Sequence, residues 1–202
     1  MALFRLVAAG ITPGETWNFG IHAESTLSVG DASSNFGSAL SSAWNSDWAA
    51  LLPAGTTITV ASARLIDPTN GRQSERSDTD LDLSGTDATG QTPPPQVAVV
   101  VSTRTTMANR SGRGRFYLPG PASDQLTAGQ LTNTARDAYL AGATSMFSDL
   151  NAAGLNPVIW HRPTSPDAGT TTPIISLIVD SVLDTQRRRR DKLVGTSASN
   201  PV

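Results

Sequence analysis

The sequence predicts an α+β domain in which one mainly antiparallel sheet carries two helices packed on one of its faces. Segments with the period of a strand outnumber segments with the period of a helix. The two helical segments are too few and too irregularly placed for a doubly wound sheet, which alternates strands and helices regularly. In chain order, the predicted elements are β-β-α-β-β-(β)-α-β-β.

The first two strands are predicted as a hairpin. Residues 2–11 and 16–23 flank the turn residues "TPGE", and Trp17, Phe19 and Ile21 alternate with Asn, Gly and His in "TWNFGIH". Alternation with period two is typical of a half-buried strand. We therefore expect one face of this hairpin to cover the core.

The first helix begins near Asp31, where the hydrophobic period changes from two to that of a helix. Pro53 ends the pattern, and the strand "TTITVASARLID" follows, closed by the turn "DPTNG". The apolar residues on the predicted helical face are Phe36, Leu40, Trp44, Trp48 and Leu51.

Residues 71–95 are rich in Ser, Thr, Asp and Gly and end in three prolines, so they are predicted as a long polar surface excursion with at most a short strand near "DLDLSG". Alternate aspartates in this segment suggest a calcium loop, but Leu83 and Thr89 occupy the positions where an EF-hand needs Gly and Glu. A solvated acidic loop is the simpler interpretation. The alternate aspartates are Asp78, Asp80 and Asp82.

The run "QVAVVVSTRT" is apolar on both faces and predicts a central strand, with a short further strand at "GRFYLPG". A second helix is expected to start at Thr127, with Gln130 completing a capping box, and to end at a Gly154 cap. The segments "NPVIWHR" and "TPIISLIVDSVLDTQ" are expected as the last strands. We assign residues 1–193 to a single domain and 194–202 to a polar tail.

The composition excludes several classes of function. The chain of 202 residues has a net charge of −2 and a pI near 5.6, which argues against a general polyanion binder. Fourteen of the fifteen basic residues are arginine, which favours bidentate pairing at interfaces, although a GC-rich coding genome would produce the same bias. Without cysteine, neither a disulfide framework nor a thiolate metal site can form.

No catalytic motif is present, so we expect no enzyme activity, no metal and no cofactor. His22 and His161 have no second ligand at a defined spacing, apart from Glu24 beside His22, and are expected to be satisfied strand residues. The N-terminal run "MALFRLVAAGITPG" is expected to be a strand and not a signal peptide. No apolar window reaches the roughly 18 residues of a spanning helix, so no membrane partner is expected.

Two arginine clusters are the strongest candidate site. The first combines four arginines with two aromatics in "RTTMANRSGRGRFYLPG", where Gly112 and Gly114 are expected to turn the chain sharply away from the central strand. The second is "RRRR" near the C-terminus. The predicted interface residues are Arg104, Arg110, Arg113, Arg115, Phe116, Tyr117, Arg187, Arg188, Arg189 and Arg190.

These clusters admit three interpretations. Glycine, arginine and aromatic residues can grip a phosphate backbone and stack on bases; arginines can pair with carboxylates across a subunit interface; or they can form a solvated turn and a charged chain end. The interface is favoured, because the segment from Asp67 to Asp87 carries six carboxylates that could complement the arginines.

The succession "GETWNFGIH", "PPPQVAVVVSTRT", "RSGRGRFYLPG", "PVIWHR" and "DTQRRRRDKL" resembles small, mostly uncharacterised structural-type proteins encoded in bacteriophage and viral genomes. The resemblance implies a virion structural protein of the coat, capsid-associated or tail-junction kind. Its expected partners are copies of itself and other virion proteins, and its expected location is the virion, assembled in the host cytoplasm. A nucleic-acid-binding module and, below it, a hydrolase using His22 or His161 remain the alternatives.

Overall fold

The computed structural model describes residues 1–12, 15–89, 96–104, 111–127, 130–158, 174–184, 189–192 and 198–199. Side chains are described in the ranges 1–12, 16–89, 118–127 and 131–157. The predicted α+β class is confirmed: antiparallel strands are combined with two α-helices. The described strands are, however, divided between two five-stranded sheets and one two-stranded sheet and do not form a single one.

The first sheet has the strand order β4-β3-β1-β2-β9, and all of its pairings are antiparallel. The predicted hairpin is confirmed, since β1 and β2 pair from Ala2 opposite Ser25 to Thr12 opposite Glu15. Numbered in chain order, its strands are β1 (Ala2–Thr12), β2 (Glu15–Ser25), β3 (Thr57–Ile66), β4 (Gln73–Ser84) and β9 (Asn156–Val158).

The second sheet has the order β11-β10-β5-β6, and β12 also pairs with β10. The apolar run "QVAVVVSTR" lies between two partners, as expected of a central strand, but in this sheet and not in the first. Residues 198–199, which belong to the predicted polar tail, pair with Ser176 and Leu177 of the same chain. The strands are β5 (Gln96–Arg104), β6 (Ser111–Leu118), β10 (Ile174–Asp184), β11 (Arg189–Lys192) and β12 (Ala198–Ser199).

The core lies on one face of the first sheet, where period-two alternation divides each strand into inner and outer residues. In β1, Phe4, Leu6 and Ala8 are almost fully buried, whereas Arg5 between them is exposed. The cross-strand register places Ala61 and Ala63 beside Ala8 and Leu6 on the inner face. Small alanines beneath the helices let them pack closely on the sheet.

Helix α1 (Val29–Ala43) covers this inner face. Ser28 caps its N-terminus by accepting a hydrogen bond from Asp31 N at 3.1 Å. The helix continues into a π-helical turn at Trp44–Trp48 and a 3-10 turn at Ala49–Leu51. The predicted helical face is confirmed as buried over its whole length: Phe36, Leu40, Trp44, Trp48 and Leu51 all belong to the core.

Helix α2 (Asn133–Ala152) packs against α1 and ends before Gly154, whose φ of 79° fits the predicted glycine cap. The predicted start at Thr127 is wrong. Residues 126–127 and 130–131 pair with each other as the short strands β7 and β8, so Gln130 cannot complete a capping box. Thr132 caps the helix instead and accepts from Ala135 N at 3.1 Å.

The prediction of a surface excursion at residues 71–95 is wrong for its first half, which forms the twelve-residue edge strand β4. The inner face of β4 presents small polar residues where α1 presents Ser33 and Gly37. The Ser33 and Thr79 hydroxyls lie 2.8 Å apart, and a Cβ at Gly37 would lie 3.3 Å from Thr79 and 3.4 Å from Leu81. A strand with small polar residues can pack here because the residues of α1 that face it, Ser33 and Gly37, are also small.

Replacing Gly142 with alanine should destabilise the fold, even though alanine favours a helix. A Cβ at this position would lie 2.2 Å from Trp48 Nε1, and the Trp48 indole is buried and rigid. We expect the free energy of unfolding, measured by urea denaturation, to fall by about 1–3 kcal/mol. As a control, Ala141→Gly at an exposed site of the same helix should cost about 1 kcal/mol. A Gly142→Ala protein more stable than the parent would contradict the packing.

Candidate interaction surfaces

The first predicted arginine cluster lies on the hairpin of β5 and β6. In the antiparallel register, Arg104 lies opposite Ser111, Arg113 opposite Ser102, and Arg115 opposite Val100. Residues directly opposite each other, and residues two apart in a strand, belong to the same face of a sheet. The backbone therefore places Arg104, Arg113 and Arg115 at positions of one face. Arg110 lies outside the described residues.

The expected sharp turn at Gly112 and Gly114 is wrong. Both glycines are regular strand residues, opposite Thr103 and Val101. Residues 105–110, which connect β5 to β6, lie outside the described part of the chain. Phe116 and Tyr117 continue β6 opposite Val99 and Ala98. The sequence grouped both with the arginines, but alternation places only Tyr117 on their face, so the prediction is wrong for Phe116.

The second arginine cluster lies far from the first. Arg189 and Arg190 pair with Asp184 and Leu183 at one end of β10, whereas Arg104 pairs with Ile174 at the other. With a rise of about 3.3 Å per residue, the two ends of β10 are about 30 Å apart. The structure thus separates the two clusters and does not merge them. Arg187 and Arg188 lie outside the described residues, as does His161.

The sequence did not predict a row of cations on the outer face of the first sheet. Arg76, Arg64 and Arg5 are directly opposite one another on β4, β3 and β1, and we call these three residues the arginine row. His22 of β2 continues it beside Arg5. Like charges directly opposite in a sheet destabilise it. Such a row is therefore expected where a partner supplies the opposite charge.

The arginine row is only partly neutralised. Arg76 forms an ion pair with Asp78 at 2.7 Å, and Arg64 Nη1 donates to Gln73 Oε1 at 3.3 Å. Arg64 Nε is buried and has no hydrogen-bond partner. Among the described side chains, no carboxylate lies within ion-pair distance of Arg5 or Arg64. These two guanidinium groups retain capacity for an outside acceptor.

His22 is a half-buried strand residue, in agreement with the expectation for it. Burial first, and then the charge of Arg5, lower the pKa of His22 below its ordinary value of about 6.5. The imidazole of the folded chain therefore resists protonation. A lowered pKa in this position reflects the neighbouring cation as well as the loss of solvent.

Stability should fall on acidification because of His22. Its folded pKa is lowered, so below about pH 6.5 the unfolded chain binds more protons, and the stability present above that pH is progressively lost. His22→Gln should flatten this part of the curve of unfolding free energy against pH. If the His22→Gln variant keeps the parent's slope between pH 5 and 7, His22 does not cause it.

Asp78, Asp80 and Asp82 of β4 lie on the same outer face of the sheet as Arg76, because residues two apart in a strand share a face. Asp78 accepts from Arg76 Nε at 2.8 Å and from Ser62 at 2.6 Å, and these bonds lower its pKa. Asp80 and Asp82 are exposed and form no hydrogen bond or ion pair within the described part of the chain. The expected acidic loop is thus an acidic strand edge. Among the described residues, no three metal-ligating groups gather where they could hold an ion.

No protein-family model, curated protein or solved structure matches this chain. Within the described residues, neither α-helix is both long and apolar enough to cross a bilayer. A functional hypothesis therefore starts from three features. They are the arginine row and the acidic edge of the first sheet, and the arginine positions of β5 and β6.

Proposed function

We propose that the chain is a virion structural subunit, of the coat, capsid-associated or tail-junction kind, which assembles through repeated contacts with its own copies and other virion proteins. The observation that carries the proposal is charge complementarity within one sheet. Its open edge strand presents Asp80 and Asp82 without partners, and its outer face presents Arg5 and Arg64 without a paired carboxylate. Subunits that carry both halves of a charge pair can join head to tail or around a symmetry axis.

The same logic extends to the hairpin of β5 and β6, where Arg104, Arg113 and Arg115 occupy positions of one face. Arginine beside aromatic residues is common at interface hot spots, and Tyr117, two positions beyond Arg115, belongs to the same face of β6, whereas Phe116 belongs to the other face. The net charge of −2 favours protein carboxylates over nucleic-acid phosphates as partners. Assembly would take place in the host cytoplasm and end in the virion.

The arginine positions of β6 provide the first test. Arg113→Ala combined with Arg115→Ala should give a folded subunit that fails to form particles under the electron microscope, because each lost paired arginine removes roughly 2–4 kcal/mol per contact. Arg136→Ala is the matched control, since Arg136 already pairs with its neighbour Asp137 at 2.8 Å on α2. The control should assemble like the parent.

Oligonucleotide binding separates this function from its main alternative. The parent and the double variant should bind DNA and RNA equally weakly. If the parent instead binds with a steep dependence on salt, and the double variant loses that binding while it still assembles, the arginines grip phosphates and the interface proposal is wrong.

The acidic edge provides the complementary test. Asp80→Asn with Asp82→Asn removes two exposed charges without touching the core, so the subunit should fold normally. We expect its assembly to weaken at low salt, where the parent's charge pairs are strongest. If this acidic variant and the variant without Arg113 and Arg115 both assemble at the parent's level, charge pairing is not the basis of association.

A further inference from the structure

We infer that β4 pairs antiparallel with β4 of a second copy across a twofold axis at Ser77, so that the two first sheets join into one continuous sheet. This pairing rests on the proposed function, because it specifies one of the repeated contacts. The strand is a suitable edge: it is twelve residues long, and in the described chain β3 is its only strand partner. An unpaired edge offers a row of free N–H and C=O groups to another chain.

The order of charges along β4 selects one register. A twofold axis normal to the sheet places one residue opposite its own copy. With Ser77 at the axis, Arg76 lies opposite Asp78 of the other copy, and the flanking Arg72 opposite Asp82. In this register Ser74 lies opposite Asp80, and Glu75 opposite Thr79. Every charged residue from 72 to 82 thus meets an opposite charge or a neutral polar residue.

Neighbouring registers are unfavourable. Centring the pair on Glu75, Arg76, Asp78 or Asp80 places that residue opposite its own copy, and like charges directly opposite destabilise a sheet. A centre at 74 would oppose Arg72 to Arg76, and a centre at 79 would oppose Asp78 to Asp80. Charges on an edge strand ordinarily discourage pairing. In β4 they discourage every centre from 74 to 80 except Ser77.

The regularity of the strand agrees with this centre. The pairing of β4 with β3 shifts register at two places, between the partners of Leu65 and Ile66 and between those of Ile58 and Val60. The stretch from 75 to 80 between these irregularities is regular. Bulges bend a strand, so a new partner pairs most regularly along the stretch that contains Ser77. Within that stretch, the pairs of Arg76 with Asp78 and of Glu75 with Thr79 decide the register, and Arg72 and Asp82 lie beyond the bulges.

Helix α1 leaves room for the second copy. It lies over the pair of β3 and β4, because Ser33 Oγ donates to Ala61 O at 3.0 Å and lies 2.8 Å from the Thr79 hydroxyl. In a joined sheet, α1 and its copy would be two strand spacings apart, about 10 Å. Helices pack at axial distances of about 8–10 Å, the shorter ones requiring small side chains.

The flank of α1 that would meet its copy consists of small residues. Gly30, Ser34 and Ser38 recur every four residues and are exposed, and Gly30 lies close to Ser77 of the edge strand. A ridge of this kind lets two helices approach without a clash. The open edge, the charge order and the small flank thus fit the same occupant, a second copy of this chain.

The chain contains no cysteine, so single-cysteine variants can test the register directly. Ser77→Cys places a thiol beside its own copy, at a Cα separation of about 4.5–5.5 Å that a disulfide can span. We expect it to form a covalent dimer under mild oxidation. Ser74→Cys is the matched control: the two thiols would be about 20 Å apart, and cross-linking should be at least tenfold slower.

Charge reversal tests the same contact without a cross-link. Arg76→Asp should raise the dimer dissociation constant, measured by analytical ultracentrifugation, at least tenfold. The substitution places a carboxylate at position 76 directly opposite Asp78 of the other copy. Arg76→Asp with Asp78→Arg restores opposite charges and should recover dimerisation. Equal cross-linking of Ser74→Cys and Ser77→Cys, or no recovery in the double variant, would overturn the register.

These results separate the inferred contact from the proposed function. If particles form normally while Ser77→Cys stays monomeric on oxidation, the pairing of β4 is wrong and the virion function stands. If the chain dimerises through Ser77 but neither forms particles nor enters them with other virion proteins, the pairing is right and the virion function is wrong.

Discussion

Replacing Trp48 with alanine is expected to lower the free energy of unfolding by about 3–5 kcal/mol, the range for deleting a large buried aromatic side chain. Trp48 is fully buried, stands edge-on to Trp44 with ring centroids 6.5 Å apart, and donates from Nε1 to Tyr139 O at 3.4 Å. It joins the end of α1 to the middle of α2. Urea denaturation followed by circular dichroism measures the loss.

Trp17→Phe is the control for this prediction. Trp17 is also buried, but its Nε1 has no hydrogen-bond partner. Phenylalanine removes that unsatisfied donor along with part of the ring, so the two effects oppose each other and the net change should stay below about 1.5 kcal/mol. If Trp48→Ala costs no more than Trp17→Phe, Trp48 does not join the helices as described.

Deleting residues 73–84 is expected to abolish folding altogether. The N–H of Gly85 donates to Thr56 O at 2.8 Å, at the start of β3, whereas Ile66 lies at its end, about 30 Å away by strand rise. After the deletion, residues 67–72 would have to join Ile66 to Gly85 and could span at most about 24 Å. The shortened chain cannot preserve β3.

A second variant separates chain length from the strand itself. Replacing residues 73–84 with twelve glycine and serine residues preserves the connection but removes the buried Leu83 and the contacts of Thr79 with α1. We expect this variant to fold with a markedly lower midpoint in urea. A 73–84 deletion that still gave a cooperative, native-like protein would show that this segment lies outside the fold.

The helical and strand patterns that depend on hydrophobic period could be predicted from the sequence. Phe36, Leu40, Trp44, Trp48 and Leu51 are buried as their spacing predicted, because a large apolar side chain has few other places in a small domain. The hairpin at residues 2–23 followed from the same rule. These predictions needed no knowledge of which segment packs against which.

Strand β4 could not be predicted in this way because its stability comes from its neighbours. Thr79 and Ser77 carry little hydrophobic signal, and they are accommodated only because small residues of α1 lie above them: Ser33 and Gly37 near Thr79, and Gly30 near Ser77. The arginine row was missed for a related reason. Arg5, Arg64 and Arg76 come together only through a register that includes a shift between Ala9 and Gly10.

The second sheet has a consequence for folding during synthesis. Strands β1 to β4 lie within the first 84 residues and can pair once that part of the chain has left the ribosome. Strand β5 can pair early with β6, but its second partner β10 has pairing residues 70 or more positions further along the chain, such as Ile174 opposite Arg104. Contacts of such long sequence separation form slowly. The apolar run "VAVVV" is therefore expected to be the nascent chain's most aggregation-prone segment until residue 184 emerges, whereas the first sheet is complete earlier except for β9.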